Sequence, residues 1–367
     1  MNKQNALKHE TMKNFLITTI IFAASTLLLI ACTKSEENPD NLPQEGQKAS
    51  ITLSLVGTEL ATRSTGTIPN QTADNSINKI MVFIFNTSNG EIDRMKVATP
   101  SEITNKSVSI TGTSGTRDIY VVVNYPTADS TALANVATVT DLKAVTADLK
   151  NENEANFRMI GKKVNQTINA GSNTVAVIVS RLVARIALTN ITTNFSGGLA
   201  GKSLAIDSIY LLNVIGSKSY QDSSFFVNSP TIYNRTAPGL AFPIFDAYGT
   251  PASVNNTTAY NTISGYANGN HYYVYANNGT TFTTSTKLII TGMLNGIRTY
   301  YPIAINVSGN GYTPGTAGIT ANSQYSITAN ITGFGSTTPT TPVISANLTI
   351  TVTPQNWATV INQNVSF

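Results

Sequence analysis

Short segments rich in β-branched and aromatic residues, most of them ended by Gly, Asn or Pro, recur along this 367-residue chain. Apolar and polar residues alternate in Ile51–Leu55, whereas Ile80–Phe85 is continuously apolar and predicts a strand buried on both faces. The β-rich run Asn173–Asn190 is longer than one ordinary strand, so we expect it to leave one sheet and enter the next. Short strands at this spacing predict an all-β fold of β-sandwiches.

The remaining elements are predicted from the same runs and turns. Asn89-Gly90 can adopt positive φ and predicts a hairpin between Ile80–Phe85 and Ile92–Val97. One stretch with an apolar face, Ser130–Leu149, is predicted as a helix. The other expected strands are Ser107–Thr111, Asp118–Asn124, Leu204–Val214, Tyr272–Ala276, Lys287–Met293, Thr299–Val307 and Tyr325–Thr332.

The composition agrees with this fold class and gives no sign of one kind of partner. Charged residues make up only 11% of the chain, while Thr, Asn, Ser, Gly, Ile and Val are abundant, which favours strands and tight turns. The net charge is +4, and the Lys and Arg residues are scattered rather than clustered. Nothing in this distribution predicts nucleic-acid binding.

An apolar run near the N-terminus ends in a cysteine. A short basic start before the run Phe15–Ala31 is typical of a secretory signal. The run is also long enough for a membrane-spanning helix, but it ends in Leu29-Ile30-Ala31-Cys32 and not in basic residues. This ending resembles a bacterial lipobox, in which the peptide is cut before the cysteine and acyl chains on that residue hold the protein at a membrane. We therefore expect residues 12–31 to be a lipoprotein signal peptide and Cys32 to be lipidated.

The residue types that support catalysis are sparse. Cys32 is the only cysteine, which excludes an intramolecular disulfide and a Cys-based zinc site. Of the two histidines, only His271 follows the expected signal peptide, and no spacing indicates a Ser and an acid to complete a triad with it. We predict no enzyme, no cofactor and no metal site, and scattered Asp residues give calcium binding no support. The polar segment 32–48 is expected to be a flexible tether.

Several strand-and-turn patterns follow the lipobox in a consistent order. They are Ser180–Ile186, Ser208–Asn213, Tyr272–Asn277, Thr299–Ile303 and Asn322–Pro339. Each alone is an ordinary strand ended by a turn, but together they resemble the fimbrillin family, the lipoprotein-derived type V pilins of Bacteroidales. The resemblance implies two transthyretin-like β-sandwich domains in tandem and a structural subunit, most simply of the stalk, that assembles into an adhesive fibre.

The resemblance also implies the domain boundaries. The N-terminal sandwich is expected at residues 49–182, of which the first strand and loop, 49–63, are removable. The C-terminal sandwich is expected at 183–342. Residues 343–367 are expected to contain the donor strands.

The two ends of the chain that follows the expected signal peptide and tether carry the same period-2 apolar stripe. In the first strand the stripe consists of Ile51, Leu53 and Leu55. In the tail it consists of Ile344, Ala346, Leu348, Ile350 and Val352. In fimbrillins the first strand is removed, and the C-terminal strand of a neighbouring subunit fills the groove by strand addition. The residues themselves leave a second interpretation open, in which 343–367 is a terminal hairpin that completes its own sandwich.

In the family an Arg-specific protease removes the first strand, and this protease needs an accessible arginine between the first strand and the next. Arg63 is the only arginine before Arg94, and it lies in the Thr-, Gly- and Ser-rich stretch Gly57–Gly66. We therefore expect cleavage between Arg63 and Ser64. The expected partners are copies of this chain, other fimbrial subunits, the protease, the outer membrane through the lipid anchor, and an unidentified host or bacterial surface ligand. The precursor is expected in the outer membrane and the mature form in extracellular fimbriae.

Two predictions concern carbohydrate, one about glycan binding and one about glycosylation. A monomeric surface lipoprotein that binds glycans is the alternative function, with tyrosines between Tyr248 and Tyr275 as the stacking surface. Separately, Asp129-Ser130-Thr131 resembles the short O-glycosylation acceptor of this bacterial group, which makes Ser130 a candidate for modification.

We predict that Cys32→Ser abolishes acylation and normal surface delivery, because the lipid is attached to the residue that follows the cut. Mass spectrometry of the wild-type precursor should find acyl groups on residue 32, and Thr33→Ser should leave them in place. An unmodified Cys32 in the wild-type precursor would contradict the lipoprotein prediction.

Overall fold

The computed structural model describes residues 46–57, 76–152, 156–220, 232–233, 252–254, 270–307, 318–343 and 348–356. Residues Gln44–Phe367 belong to one compact unit. Strands dominate the described residues, which confirms the prediction of an all-β sandwich fold.

The element bounds fall into two series, divided at Leu182. The first series of strands is β1 Lys48–Gly57, β2 Ile80–Asn86, β3 Ile92–Val97, β4 Ser107–Thr113, β5 Gly115–Val123, β6 Thr146–Asp148, β7 Met159–Ile168 and β8 Gly171–Arg181. The second is β9 Val183–Thr193, β10 Leu204–Leu212, β11 Val214–Ile215, β12 Ser217–Ser219, β13 Ile232–Tyr233, β14 Ala252–Val254, β15 Asn270–Tyr275, β16 Lys287–Leu294, β17 Ile297–Ala304, β18 Ser323–Ile331 and β19 Leu348–Asn356. The helices are α1 Pro100–Asn105, α2 Thr127–Ala134 and α3 Val139–Ala144, with 3₁₀ turns at Leu149–Asn151 and Gly197–Leu199.

A seven-stranded sheet takes most strands of the first series, in the order β3-β2-β5-β7-β8-β1-β4. Its inward side chains, among them Ile51, Ile84 and Val121, form one buried apolar core. The two edge strands of this sheet approach each other, since a Cβ on Gly112 of β4 would lie 2.9 Å from Asp93 Oδ2 of β3. The sheet therefore folds over its own core.

Strand β2 is buried on both faces, as its continuous apolar run predicts. Its even-numbered side chains enter the core of the seven-stranded sheet. Its odd-numbered side chains, Met81, Phe83 and Phe85, enter a second apolar cluster. A strand with one solvated face would alternate, so the absence of alternation follows from the two cores. The predicted hairpin to β3 also forms, with Gly90 at φ 73°.

The long segment Asn173–Asn190 contributes to two sheets, as its length predicts. β8 belongs to the seven-stranded sheet, whereas β9 lies in a four-stranded sheet of order β15-β9-β18-β19. A further sheet has the order β14-β10-β16-β17, and side chains of both four-stranded sheets meet in the second apolar cluster. The division into tandem domains at residues 182 and 183 stays a prediction.

The helix predicted at Ser130–Leu149 is wrong as a single element, because two short helices, α2 and α3, occupy that region. Thr138 explains the break, since its side chain accepts a hydrogen bond from the backbone N–H of Asp141, and the Asp141 carboxylate accepts from the backbone of Thr138. The same type of capping box, between Thr99 and Glu102, begins α1. That helix lies outside the predicted elements.

A buried charge network connects side chains of the two series. The Arg158 guanidinium is 1% exposed, and its Nη1 donates to Glu152 Oε1 at 3.1 Å and to the Tyr275 hydroxyl at 3.0 Å. The Tyr275 hydroxyl donates to Glu152 Oε1 at 2.6 Å. Asp129 Oδ2 lies 3.2 Å from Arg158 Nη2 and accepts a hydrogen bond from the Tyr220 hydroxyl. The network therefore links residues before β7 with residues after β12.

The charges in this network depend on one another. Burial raises the pKa of Glu152, although Arg158 and the Tyr275 hydroxyl favour the ionised carboxylate. Burial, together with the Glu152 charge, raises the pKa of Tyr275 well above its usual value, so that its hydroxyl remains a donor. Removing the cation alone would leave a carboxylate buried without its charge partner.

We predict that Arg158→Met lowers the free energy of unfolding by about 3 to 5 kcal/mol, because it strands the Glu152 carboxylate. The double variant Arg158→Met/Glu152→Gln should recover much of this loss, since neither charge of the pair then remains. As a control, Asp207→Asn removes the exposed pair in which Arg298 Nη1 lies 2.6 Å from Asp207 Oδ2. It should cost less than about 1 kcal/mol. Urea unfolding measures all three, and equal losses in the single and double variants would contradict the coupling.

Candidate functional site

Strand β1 is held between two other strands. It runs parallel to β8, with Leu53 opposite Val175, and antiparallel to β4, with Leu53 opposite Val108. Ala49, Ile51 and Leu53 are fully buried, and Leu55 is nearly so. The period-2 stripe of the first strand therefore faces the core. We call the space that β1 occupies between β8 and β4 the β1 slot.

Backbone contacts define both ends of the β1 slot. At the N-terminal end, Gln47 N donates to Ser114 Oγ at 2.9 Å and Ser114 N donates to Gln47 O at 2.7 Å. At the other end, Leu55 N donates to Lys106 O at 2.9 Å. The outward side chain of Thr52 meets Ser109 of β4, with 3.3 Å between their hydroxyl oxygens. Strand β1 thus contacts the slot through its backbone and through its alternate side chains.

The C-terminal strand β19 lies at a sheet edge. It pairs antiparallel with β18, which places Ile350 opposite Ala329 and Val352 opposite Ile327. Because β19 ends its sheet order, it has one hydrogen-bonded neighbour among the described strands, whereas β1 has two. The pairing is the one that the terminal-hairpin interpretation predicts for a single chain. Ile344 and Ala346 lie outside the described residues, and the donor-strand role stays a prediction.

Other predicted site residues are divided between described and undescribed parts of the chain. Residues 1–45, which include Cys32, lie outside the described ranges, and so do Arg63 and Ser64. Ser130 lies in α2, partly buried, with its hydroxyl 3.5 Å from Pro126 O. Its neighbour Asp129 belongs to the buried charge network, and modification of Ser130 stays a prediction.

The described tyrosines do not form the predicted sugar-stacking surface. Tyr272, Tyr273 and Tyr275 are 1%, 3% and 0% exposed. The Tyr273 ring packs against Phe157 with 4.5 Å between ring centroids, and Tyr275 belongs to the charge network. The glycan surface is therefore wrong for these three residues, and Tyr248 lies outside the described ranges.

The sequence patterns did not indicate the polar side chains that bind β4. Lys96, Glu102 and Asp93 all bond to the backbone of β4. The available signal was the capping box from Thr99 to Glu102, which fixes Glu102 near the start of β4. Asp93 carries no local signal, because its contact joins β3 to the distant end of β4.

The described residues hold no cluster of metal ligands and no apolar helix of membrane-spanning length. No group of three or more His, Cys, Asp or Glu side chains in these ranges is placed to hold a metal ion. Within the same ranges, no helix has the length and apolar character needed to cross a bilayer.

Solved structures share this fold. A fimbrilin from Porphyromonas gingivalis superposes with a TM-score of 0.58 at 22% identity, covering 86% of this chain and 99% of that one. A candidate cell adhesion protein from Parabacteroides distasonis superposes with a TM-score of 0.64 at 21% identity, covering 88% of this chain and 100% of that one. This chain therefore has a fimbrilin-like, all-β fold.

The sequence relatives are fimbrial subunits. Residues 49–197 match the family described as major fimbrial subunit protein (FimA). The major fimbrium subunit FimA type-4 of Porphyromonas gingivalis is 27% identical, over 94% of this chain and 97% of its own length. The major fimbrium subunit FimC of that species is 28% identical, over 83% of this chain and 61% of its own length. These comparisons support a member of the Bacteroidales fimbrillin family, whose relatives named here are structural fimbrial subunits of the cell surface.

We predict that Leu53→Ala lowers the free energy of unfolding of the uncut chain by about 2 to 5 kcal/mol, because it leaves a cavity in the core. The control Ser54→Ala, on the exposed face of the same strand, should change stability by less than about 0.5 kcal/mol. Urea unfolding of the two variants beside wild type measures the difference. Equal stability of the two variants would show that β1 is not packed in the folded precursor.

Proposed function

We propose that this subunit polymerises by donor-strand exchange triggered by proteolysis. Acylation of Cys32 takes the precursor to the outer membrane, and an Arg-specific protease then cuts between Arg63 and Ser64. The cut frees β1, and the C-terminal segment of another subunit enters the β1 slot. The observation that carries this proposal is the position of β1, an N-terminal strand that fills a two-sided slot in the core.

The difference in neighbours supplies a driving force. In the single chain, β19 forms one ladder, with β18. In the slot the same segment would form two ladders, one with β8 and one with β4, and each ladder replaces hydrogen bonds that would otherwise be made to water. An edge strand is also the element that leaves its sheet at the smallest cost, because only one ladder must break.

The apolar stripes suggest the register of the exchange. The inward series of β1 is Ala49, Ile51, Leu53 and Leu55. The tail repeats this order of one small and three branched aliphatic residues in Ala346, Leu348, Ile350 and Val352. A shift by two residues would put Ile344 in the place of Ala49, and overpacking of that kind costs about 1 to 3 kcal/mol. We therefore assign Ile350 to the position of Leu53 and Thr349 to the position of Thr52.

Burial in the slot would make the contact stable. Leu348, Ile350 and Val352 would each contribute about 1.5 to 3 kcal/mol on burial, or roughly 5 to 9 kcal/mol together. Ordering of the tail and loss of free rotation offset part of this sum. The two backbone ladders add to it and fix the direction of the donor, parallel to β8.

A stalk position fits the extent of the sequence relationship. A relative that matches nearly the whole chain is named a major fimbrium subunit. A subunit with one slot and one donor segment adds to its own kind head to tail, which produces a long polymer. Adhesion of the fibre to a host or bacterial surface then follows from its length and surface location, with the ligand unspecified. The glycan-binding monomer gains no support from Tyr272, Tyr273 and Tyr275, because these three side chains are buried.

The proposal predicts two ways to stop assembly. Arg63→Ala should leave an uncut, folded precursor, whereas wild-type fibres should begin at Ser64 by N-terminal sequencing.

Ile350→Asn would bury an amide without partners, at about 1 to 3 kcal/mol for each unsatisfied group, and should reduce polymer at least tenfold. Thr349→Asn, on the opposite face of the strand, is the control and should polymerise nearly as wild type. Electron microscopy and sedimentation of protease-treated protein measure polymer.

The terminal-hairpin interpretation predicts the opposite result for the monomer. If the tail only completes its own sheet, Ile350→Asn would lower the melting temperature of the uncut monomer, and deletion of residues 343–367 would unfold it. A folded, soluble truncation that does not polymerise supports donation. Mature fibres that begin at Cys32 would remove the mechanism.

A further inference from the structure

Strand β4 has an unusual dependence on β1. It is the last strand of the seven-stranded sheet, and among the described strands its ladder is made with β1 alone. If β1 leaves, β4 loses every strand neighbour that the described sheet gives it. A wall of the β1 slot would then have no ladder until the next strand arrives.

One pair of side chains binds the middle of β4. Lys96 Nζ donates to Ser109 O at 2.6 Å, and Ser109 N donates to Glu102 Oε1 at 2.9 Å. Lys96 Nζ also lies 2.7 Å from Glu102 Oε1, which closes a three-membered cluster. The N–H and C=O of one strand residue point to the same edge, so both of these bonds lie on the edge of β4 that faces away from β1.

Helix α1 fixes the carboxylate of this cluster. Thr99 N donates to Glu102 Oε2 at 2.9 Å, so one oxygen caps the helix while the other binds β4. Partial burial would raise the pKa of Glu102, but hydrogen bonds from Lys96, Thr99 and Ser109 outweigh it and lower the pKa to about 2. The carboxylate is therefore ionised and oriented throughout the neutral range.

A second cluster binds the end of β4. Thr113 N donates to Asp93 Oδ2 at 2.8 Å, and Arg117 Nη2 donates to Thr113 Oγ1 at 2.8 Å. Arg117 Nε lies 3.6 Å from Asp93 Oδ2, and both side chains are buried. Arg117 also donates to Ser114 O, next to the Ser114 hydroxyl and N–H that bond to the backbone of Gln47.

We propose that Lys96 with Glu102, and Asp93 with Arg117, are positioning residues that hold β4 as the far wall of the slot after β1 has been released. The proposal rests on the strand exchange proposed above. In the uncut chain the ladder with β1 and the two clusters hold β4 together. In the cut chain the ladder is lost while the two clusters and the buried side chains Val108 and Ile110 remain, and the clusters keep the slot side of β4 open to an incoming strand.

The proposal predicts that a substitution in these clusters slows donor-strand uptake and leaves the melting temperature of the uncut chain nearly unchanged. A residue with a general stabilising role would change both. Lys96→Met keeps the aliphatic stem and removes the charge and both of its contacts. Because β1 still pairs with β4, the uncut variant should melt within about 4 °C of wild type. After β1 is removed, uptake of a donor strand should slow about tenfold, the effect of losing one charge-assisted hydrogen bond.

The experiment uses the full chain with an engineered protease site in place of residues 60–66, so that it does not depend on Arg63. After cleavage and removal of the N-terminal fragment, an excess of labelled peptide with the sequence of residues 343–356 is added, and binding is followed by fluorescence anisotropy. Glu102→Gln, which keeps an acceptor for Ser109 N, should slow uptake less than Lys96→Met. Asp207→Asn, at the exposed pair with Arg298, is the control and should bind as wild type.

The outcomes distinguish this proposal from the strand exchange on which it rests. If the cleaved wild type binds no peptide, strand exchange itself fails, and the positioning role fails with it. If wild type binds and Lys96→Met binds equally fast, exchange stands and the positioning role is overturned. A Lys96→Met precursor that melts far below wild type also overturns it, because the cluster would then be needed even with β1 in place.

Discussion

Strand β1 pairs on both sides and buries alternate side chains in the core of the seven-stranded sheet. The side chains that fill the β1 slot are therefore part of that core. A strand in the slot stabilises the fold. Without it, the facing edges of β8 and β4 lose their hydrogen-bond partners and apolar side chains of the core are exposed. The proposed exchange uses this property directly. A precursor that carries its own first strand is complete, and a cut subunit is complete again only when another strand takes that place.

The edge of β4 that faces away from β1 is covered by charged side chains. An open strand edge invites unwanted pairing, and charged side chains at an edge prevent it. Lys96, Glu102 and Asp93 occupy backbone groups on that edge. In the proposed mechanism, loss of β1 would therefore open β4 on its slot side while the other side stays covered, which directs the incoming strand to one position.

Local patterns predicted the strands and the inward face of β1, because alternation depends only on neighbouring residues. They could not indicate that β8 is the parallel neighbour of β1, since that pairing joins residues far apart in the chain. The predicted helix at Ser130–Leu149 failed because Thr138 caps a new helix inside it. The tyrosine surface failed for Tyr272, Tyr273 and Tyr275 because an aromatic-rich strand has the same composition whether it is buried or exposed. The residues of the Arg158 network are far apart in the chain and show no regular spacing, so no local pattern indicated the network.

A disulfide between subunits tests the exchange most directly. Cys32 is the only cysteine and would leave with the first strand, so the mature chain is free for introduced pairs. Thr52 lies opposite Ser109 with 3.3 Å between their hydroxyl oxygens, which suits a disulfide, and the assigned register puts Thr349 in the place of Thr52. Fibres of Ser109→Cys/Thr349→Cys should give a ladder of covalent oligomers on a non-reducing gel. Monomer alone, together with an intrachain disulfide in Asn330→Cys/Thr349→Cys, whose residues face each other across β18 and β19, would contradict strand exchange.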